Sequence, residues 1–218
     1  MPSSLKSISN VKNKSLFFKN ITPLPDSFTS TTINISNVNG GYTFQNGNYL
    51  TSSSSNYNSS YQSFLAYNGN VSVSIGDSWV SMENSYNVVT GECITTTTTT
   101  LDNNIVLKGE WLGIKLPNPL IISAYELLVR SVDMMSFNKN TGPTVWSIIA
   151  SNTGIDGSWI LLDSQNVSSS LWHLKTVPII FSLIPVPMTP YSYYRTVVEK
   201  AGTQYSYLGI KQFNLLIH

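Results

Sequence analysis

The sequence is short of charge, cysteine and histidine, and each shortage excludes a class of protein. Only 11% of the 218 residues are charged, and 12 basic against 11 acidic residues leave a net charge of +1. That balance supplies no field that would attract nucleic acid or anionic lipid. One cysteine and two histidines exclude an intramolecular disulfide framework, a cysteine-based zinc site and a multi-histidine metal centre.

Long apolar runs and catalytic motifs are also lacking. The most apolar stretch, residues 177–188, contains three prolines and falls short of the roughly 18 apolar residues of a membrane span. The first residues have no apolar signal core, which predicts synthesis in a reducing cytoplasm. No nucleophile elbow or phosphate-binding glycine loop occurs, and the acidic residues are scattered. We therefore expect a protein without catalytic activity, cofactor, metal or membrane span.

Uncharged polar residues take the place of the missing charges. The chain has 33 serines, 20 threonines, 22 asparagines and 5 glutamines, while 41% of its residues are hydrophobic. That apolar content is enough for one sizeable core. Six consecutive threonines occupy positions 95–100. Because threonine is β-branched, we expect an edge strand or hairpin here, with residues 101–104 as its turn.

The remaining patterns are those of short strands separated by turns. Residues 110–116 alternate as a strand that Pro117 and Pro119 should stop, and residues 61–67 fit one or two helical turns before Asn68 and Gly69. Strand-like segments recur at intervals of about 8–12 residues, which is typical of a β-sandwich or barrel. The sequence thus predicts an all-β sandwich over residues 27–218, preceded by a polar N-terminal arm over residues 1–26.

Four segments taken in order resemble a known family. They are residues 109–117 (GEWLGIKLP), 146–163 (WSIIASNTGIDGSWILLD), 193–198 (YYRTVV) and 208–215 (LGIKQFNL). In this order they resemble the coagulation factor 5/8 type C (discoidin) modules of the galactose-binding-like superfamily. The resemblance covers nearly all of residues 27–218 and implies a jelly-roll sandwich of about eight main strands. The Asn-, Ser- and Thr-rich composition also resembles versions carried by large DNA viruses and phages.

The resemblance directs attention to the aromatic residues and to one turn. Trp111 and Trp146 lie in alternating strands and are expected to fill the gap between the two sheets, and Trp159 is also expected to pack in the core. Many family members have Asp-Gly where this chain has Asn68 followed by glycine. Loss of that carboxylate weakens any calcium site, because calcium prefers anionic oxygen ligands.

Discoidin-like modules usually meet their ligands through loops at one end of the sandwich. The corresponding loops here are residues 52–60, 82–91 and 131–142. Tyrosine rings there could stack on a sugar while asparagine amides bond its hydroxyls, and exposed apolar residues in the third loop could mark an interface or fold back as a cap. The candidate ligand-binding residues are Asn56, Tyr57, Tyr61, Asn84, Tyr86, Met134, Met135 and Phe137.

Two apolar spots are candidates for contacts between subunits. One is Leu16, Phe17 and Phe18 in the N-terminal arm. The other is Ile184, Val186 and Met188, where prolines keep the segment out of a central strand. An arm that docks on a neighbouring subunit and an ordinary terminus both remain open.

Together these features favour a non-catalytic structural protein. Its most concrete form is a minor capsid or virion-surface component, made in the host cytoplasm, with other structural proteins or further copies of itself as partners. The alternative is a carbohydrate-binding attachment module with a glycan as partner. A glycan-processing enzyme is a third reading, although no motif points to a catalytic carboxylate pair.

Overall fold

The computed structural model describes residues 22–23, 29–35, 46–70, 76–130, 141–173 and 176–217. These residues form thirteen strands and two short 3-10 helices, Ser63–Tyr67 and Ser169–Trp172, with no α-helix in the described ranges. The strands are β1 (Thr22–Pro23), β2 (Thr32–Ile35), β3 (Gly47–Ser53), β4 (Trp79–Val80), β5 (Thr98–Thr100), β6 (Val106–Lys108), β7 (Glu110–Leu120), β8 (Ile122–Val129), β9 (Pro143–Ser151), β10 (Ile160–Asn166), β11 (Ile179–Ser182), β12 (Tyr191–Ala201) and β13 (Gly209–Ile217).

Two antiparallel sheets build the sandwich, which confirms the predicted fold class. The first sheet has the order β1-β13-β8-β11, with β4 also paired to β13. The second has the order β10-β9-β12-β7-β3-β2. The threonine run forms the predicted hairpin, because β5 pairs with β6 from Thr98 opposite Lys108 to Thr100 opposite Val106. The predicted helical turns at residues 61–67 appear as the first 3-10 helix.

Strand β7 differs from the sequence prediction, because it continues through both prolines to Leu120. Its ladder with β12 shifts register between Tyr191 and Tyr193, which lie opposite Leu120 and Lys115. The prolines therefore occupy a bulge, where a missing backbone N–H removes no ladder hydrogen bond. The expectation that Pro117 ends the strand was wrong for this reason.

The space between the sheets is filled by aromatic and branched side chains. Trp146 is fully buried, and its ring lies 5.2 Å from that of Phe181 and 5.9 Å from that of Trp172, measured between centroids. Its Nε1 donates to the hydroxyl of Tyr125 over 3.0 Å, and that hydroxyl donates to Asp163 over 2.6 Å. The prediction for Trp146 is confirmed, while Asp163 serves this core network as well as bordering a turn.

Trp111 and Trp159 lie in a second, smaller core on the outer face of the six-stranded sheet. Since Leu112 packs in the main core, its neighbour Trp111 points to the opposite face. The guanidinium of Arg195 lies between the two indoles, 3.7 Å from the ring centroid of Trp111 and 4.2 Å from that of Trp159. We call these three residues the tryptophan cluster. Trp111 was thus wrongly predicted to lie between the sheets.

The β5–β6 hairpin covers the tryptophan cluster. Arg195 donates from Nη1 to the hydroxyl of Thr99 over 3.0 Å. Leu101 and Leu107 pack in the same small core as the indoles. Burial lowers the pKa of Arg195 to about 10, an effect that Asp156 opposes, so the guanidinium stays charged at neutral pH. The threonine run therefore acts as the lid of a small, separate core.

Candidate binding site at the loop end of the sandwich

Three loops meet at the end of the sandwich where β3 and β8 finish and β13 begins. They are residues 54–62 after β3, residues 81–95 before β5, and residues 202–208 between β12 and β13. We call this the loop end, and the other the opposite end. Two of the three loops predicted from the sequence are described there. Most of the third, residues 131–140, lies outside the described residues.

A buried glutamate fixes the first loop to strand β7. The carboxylate of Glu110 is 1% exposed and accepts hydrogen bonds from the hydroxyls of Ser54 and Ser55 at one oxygen. Its other oxygen accepts from Thr95 over 2.8 Å and Thr97 over 3.2 Å. Charge-assisted bonds are stronger than neutral ones, so one side chain holds two loops in register.

Backbone hydrogen bonds then join the first loop to its neighbours. Tyr57 N donates to the carbonyl of Val80 over 2.8 Å. Ser81 N donates to the carbonyl of Leu208, and Leu208 N donates back to the hydroxyl of Ser81, each over 2.9 Å. Trp79 reaches the first loop as well, because its Nε1 donates to the carbonyl of Ser55 over 3.0 Å. The loops thus form a connected, preorganised surface.

Four tyrosines lie together on this surface. The ring of Tyr57 lies 5.9 Å from that of Tyr61 and 5.6 Å from that of Tyr207, both edge to face. The rings of Tyr205 and Tyr207 are 5.1 Å apart. Tyr57 is 40% exposed, and the other three are half-buried. We call these residues the tyrosine cluster; it combines apolar ring area with hydroxyl groups.

An arginine lies beneath the tyrosine cluster. The guanidinium of Arg130 is 4.9 Å from the ring centroid of Tyr61, and its Nη2 donates to the hydroxyl of that tyrosine over 3.3 Å. A Cβ at position 209 would lie 2.9 Å from Cβ of Arg130 and 3.0 Å from the hydroxyl of Thr141. Glycine at position 209 therefore leaves the space in which the arginine lies against β13.

Burial shifts the pKa values of ionisable groups near Arg130. Burial raises the pKa of Tyr207, while the positive charge of Arg130 and a hydrogen bond from it pull that pKa back down. Burial also lowers the pKa of Lys211, which Asp77 counteracts by its opposite charge. The carboxylate of Asp77 accepts a hydrogen bond from the amide of Asn68 over 2.6 Å. The side chains beneath the tyrosine cluster are thus polar, and both Arg130 and Lys211 are buried.

The structure brings together only part of the predicted ligand-binding set. Tyr57 and Tyr61 belong to the tyrosine cluster, and exposed Asn56 precedes them, its Oδ1 accepting from the hydroxyl of Ser53. Asn84 is exposed and has a positive φ of 62°. Its backbone N–H donates to Ser206, in the same loop as Tyr205 and Tyr207. Asn56, Tyr57, Tyr61 and Asn84 thus lie at the loop end, on or beside the tyrosine cluster.

Tyr86 was wrongly assigned to that surface. Its side chain is 1% exposed, and its hydroxyl donates to the carbonyl of Val198 over 2.9 Å. The residue forms an isolated bridge with Cys93, which turns the ring into the main core. A ring in this position cannot stack on a ligand.

Other predicted residues lie outside the surface. Met134, Met135 and Phe137 of the third loop, and Leu16, Phe17 and Phe18 of the arm, fall outside the described residues. The second apolar spot lies at the opposite end of the sandwich, in the connection between β11 and β12, where it is exposed. Its members are Ile184, Val186 and Met188.

Sequence reasoning missed three members of the surface. Arg130 ends a strand-like segment, and Tyr205 and Tyr207 lie in the short connection to the last strand. The Tyr-Ser-Tyr pattern after a glycine was the available signal, since alternating aromatic residues beside a turn often share one face. What the sequence could not supply was the pairing that brings this connection beside residues 57–61.

Two kinds of feature are absent from the described residues. They contain no group of three or more histidine, cysteine, aspartate or glutamate residues placed to hold a metal ion. Within the same ranges, no helix has both the length and the apolar character needed to cross a membrane.

Comparison with known proteins gives a likeness of fold. No protein-family model matches the chain. No curated protein matches it in sequence. Among solved structures, a family 32 carbohydrate-binding module from Clostridium perfringens in complex with GalNAc-β-1,3-galactose is similar at TM-score 0.51 and 11% identity, covering 77% of this chain and 94% of that one.

Two further structures show the same likeness. Family 32 module 3 from a family 31 glycoside hydrolase of Clostridium perfringens matches at TM-score 0.51 and 13% identity, over 77% of this chain and 88% of that one. An F5/8 type C domain from Bacteroides fragilis matches at TM-score 0.50 and 17% identity, over 78% and 91%. The comparisons give no support to the viral part of the sequence resemblance. They show that the chain has the galactose-binding-like sandwich fold of F5/8 type C and family 32 carbohydrate-binding modules.

Proposed function

We propose that this protein is a non-catalytic carbohydrate-binding module whose ligand is held on the tyrosine cluster at the loop end. The observation that carries the proposal is the grouping of Tyr57, Tyr61, Tyr205 and Tyr207 over the guanidinium of Arg130. The cluster lies on loops fixed by hydrogen bonds, so its shape exists before a ligand arrives.

The chemistry of the cluster suits a sugar. One face of a pyranose ring presents C–H groups, which pack on an aromatic ring, while its edges present hydroxyls that need partners. Tyr57 offers exposed ring area, and the tyrosine hydroxyls and the Asn56 amide offer hydrogen bonds. A rigid tyrosine loses little conformational entropy on binding, which favours a measurable affinity from a small contact area.

The fold neighbours support the same proposal. The Clostridium perfringens module at TM-score 0.51 is described in complex with GalNAc-β-1,3-galactose. Identity of 11% carries no residue correspondence, so the ligand class is argued here from the tyrosine cluster itself. Among the functions predicted from the sequence, this neighbour favours the carbohydrate-binding alternative over the structural protein of a virion.

The virion prediction stays untested, and it rests only on the composition, the missing catalytic motifs and the apolar spots of the sequence. A carbohydrate-binding module can belong to many kinds of larger protein, so the proposal concerns the activity of this domain. Absence of catalysis is part of the proposal, and its test is turnover on a panel of glycosides.

The deciding experiment is a titration of galactose- and N-acetylgalactosamine-containing oligosaccharides, followed by calorimetry. We expect saturable binding, and Tyr57→Ala should weaken it by about tenfold or more, which corresponds to about 1.4 kcal/mol. Tyr193→Ala is the matched control, because that half-buried tyrosine lies beside Lys115 on the sheet face. Equal affinity for both variants, or no binding to any glycan of an array, would overturn the proposal.

A further inference from the structure

The hydroxyl of Tyr61 has a defined role in its hydrogen bond with Arg130. Nη2 of the guanidinium donates to that hydroxyl over 3.3 Å, so the phenolic oxygen is the acceptor. Arginine carries donors and no acceptor, which means that the phenolic proton cannot point at the guanidinium. No other described residue accepts this proton. It is therefore available to a molecule that binds on the tyrosine cluster.

Tyr207 stands in the same relation to this arginine. Burial raises the pKa of Tyr207, while the positive charge of Arg130 and a hydrogen bond from it lower that pKa. Burial has the larger effect, so the Tyr207 hydroxyl keeps its proton at neutral pH. Because the hydroxyls of Tyr61 and Tyr207 bond to one guanidinium, they lie close to one another. Both rings also contact the exposed ring of Tyr57.

Arg130 makes the two hydroxyls stronger donors than an ordinary tyrosine hydroxyl. The arginine is 7% exposed, so water and salt screen its charge only weakly. Hydrogen bonds that form a chain polarise one another, and a hydroxyl that accepts from a cation donates more strongly to its next partner. The tyrosine cluster therefore offers a ligand two polarised donors beside the apolar ring face of Tyr57.

Two donors that lie close together favour an oxygen that carries no proton. A carbonyl or carboxylate oxygen has two lone pairs, so it can accept from both hydroxyls at once. A sugar hydroxyl that accepts from both must still find an acceptor for its own proton, and a buried donor without a partner lowers affinity. Of the two acceptor groups, the carboxylate forms the stronger bonds, because they are charge-assisted.

We propose that the tyrosine cluster selects sugars that carry an acceptor oxygen without a proton, to which Tyr61 and Tyr207 donate. Such an oxygen belongs to the carboxylate of a uronic acid or to the carbonyl of an N-acetyl group. Arg130 is a positioning residue, because it acts on the ligand through the two hydroxyls. The inference rests on the proposed carbohydrate binding and adds the chemical group that the surface recognises.

Three methyl glycosides that differ in one group test the inference on the full-length chain. Methyl β-galactoside carries hydroxyls only, methyl β-galacturonoside has a carboxylate in place of the primary alcohol, and methyl N-acetyl-β-galactosaminide has an acetamido group in place of one ring hydroxyl. Affinities are measured by calorimetry and NMR titration at about 0.15 M salt, which screens unspecific attraction between exposed charges. We expect at least one acceptor-bearing glycoside to bind about tenfold more tightly than the galactoside. The glycoside that gains affinity identifies the source of the acceptor.

Two conservative substitutions identify the donors. Tyr61→Phe and Tyr207→Phe each keep the ring and remove one hydroxyl. Each should lower the affinity for the preferred glycoside several-fold more than the affinity for the galactoside, because only the acceptor oxygen depends on both donors. Tyr193→Phe is the matched control and should keep the preference, since this tyrosine lies on the outer sheet face beside Lys115.

The outcomes separate this inference from the proposed function. Equal affinities of the unmodified protein for the three glycosides would overturn the inference and leave carbohydrate binding standing. A preference that persists in both Tyr61→Phe and Tyr207→Phe would overturn it too, because the acceptor would then bind elsewhere. The same holds if each variant loses affinity equally for all three glycosides, as expected for a purely structural hydroxyl. Absence of binding to these glycosides and to any glycan of an array would overturn the proposed function itself.

Discussion

Two arginine–aromatic groups among the described residues have the same attraction in different surroundings. In the tryptophan cluster, Arg195 lies 3.7 Å from the ring of Trp111 and 4.2 Å from that of Trp159, under the threonine hairpin. Beneath the tyrosine cluster, Arg130 lies 4.9 Å from the ring of Tyr61, under a surface open to solvent. The first group is covered by its own chain, whereas the second leaves ring area uncovered.

The difference teaches how to separate a structural pair from a binding pair. The contact between a cation and an aromatic ring occurs in both groups and decides nothing by itself. Two features distinguish the groups: whether another segment of the chain covers the rings, and whether the rings are those of tryptophan or tyrosine. Trp159 is 2% exposed beneath a hairpin, while Tyr57 is 40% exposed on a loop that hydrogen bonds fix to its neighbours. The tryptophan cluster therefore contributes to stability, and the tyrosine cluster is the surface on which we propose that a ligand binds.

The largest expected effect tests the structural half of this comparison. Trp159→Ala removes a buried indole from the small core and should lower the free energy of unfolding by about 3–5 kcal/mol. Tyr57→Ala should change it by less than about 1 kcal/mol, because that ring is partly solvated already. Urea unfolding of both variants gives the numbers. Similar losses in the two would show that the clusters do not differ in this way.

A smaller loss of stability is expected at Glu110. Its carboxylate bonds both to the loop that carries Tyr57 and to the threonines that lead into the β5–β6 hairpin. Glu110→Ala removes the acceptor of four hydroxyl hydrogen bonds and should cost about 2–3 kcal/mol of stability. It should also weaken glycan binding, because residues 54–57 lose their anchor. Glu110→Gln keeps the shape and should do less harm in both assays. Stability loss with unchanged affinity would show that the tyrosine cluster is positioned without this residue.

The smallest effects come from exchanging arginine for lysine in each group. Lysine keeps the charge but loses the flat face that stacks on a ring. Arg195→Lys should cost about 1 kcal/mol of stability and leave glycan affinity unchanged. Arg130→Lys should lower glycan affinity about threefold to tenfold, and it should change the free energy of unfolding less than Arg195→Lys does. The two substitutions, assayed by urea unfolding and calorimetry, should therefore give opposite profiles; matching profiles would contradict the assignment.

Much of the fold was predictable because the local strand and turn patterns of the sequence match the strands and turns of the sandwich. Alternation identified most of β7, the regular recurrence of strand-like segments indicated the sandwich, and the threonine run correctly indicated a hairpin. The expected stop at Pro117 failed because a bulge tolerates proline, and a bulge depends on the partner strand, which no local pattern specifies. Trp111 was misplaced because period-two alternation gives two faces without saying which one meets the other sheet.

The candidate site was predictable only in part, for the same reason. Loops rich in tyrosine and asparagine drew attention to Tyr57 and Tyr61, and the structure groups both. Tyr86 has the same surroundings in sequence, but a bridge to Cys93 turns it inward. Tyr205 and Arg130 come to the loop end through strand pairing between distant segments. Which side chains share a surface is thus decided by tertiary contacts that a linear pattern does not contain.

The pairing of Thr22 with Ile217 has a consequence for the rate at which the chain folds. This pairing closes a loop that contains nearly the whole chain, which lowers the conformational entropy of the chain. The entropy is lost before the strand contacts can compensate for it. The six-stranded sheet contains the neighbouring pair β9 and β10, which residues 152–159 connect, so it has a local starting point. The five-stranded sheet joins the two ends of the described chain and is expected to close last. Folding in milliseconds to seconds follows from that order, as for other sandwiches rich in distant contacts.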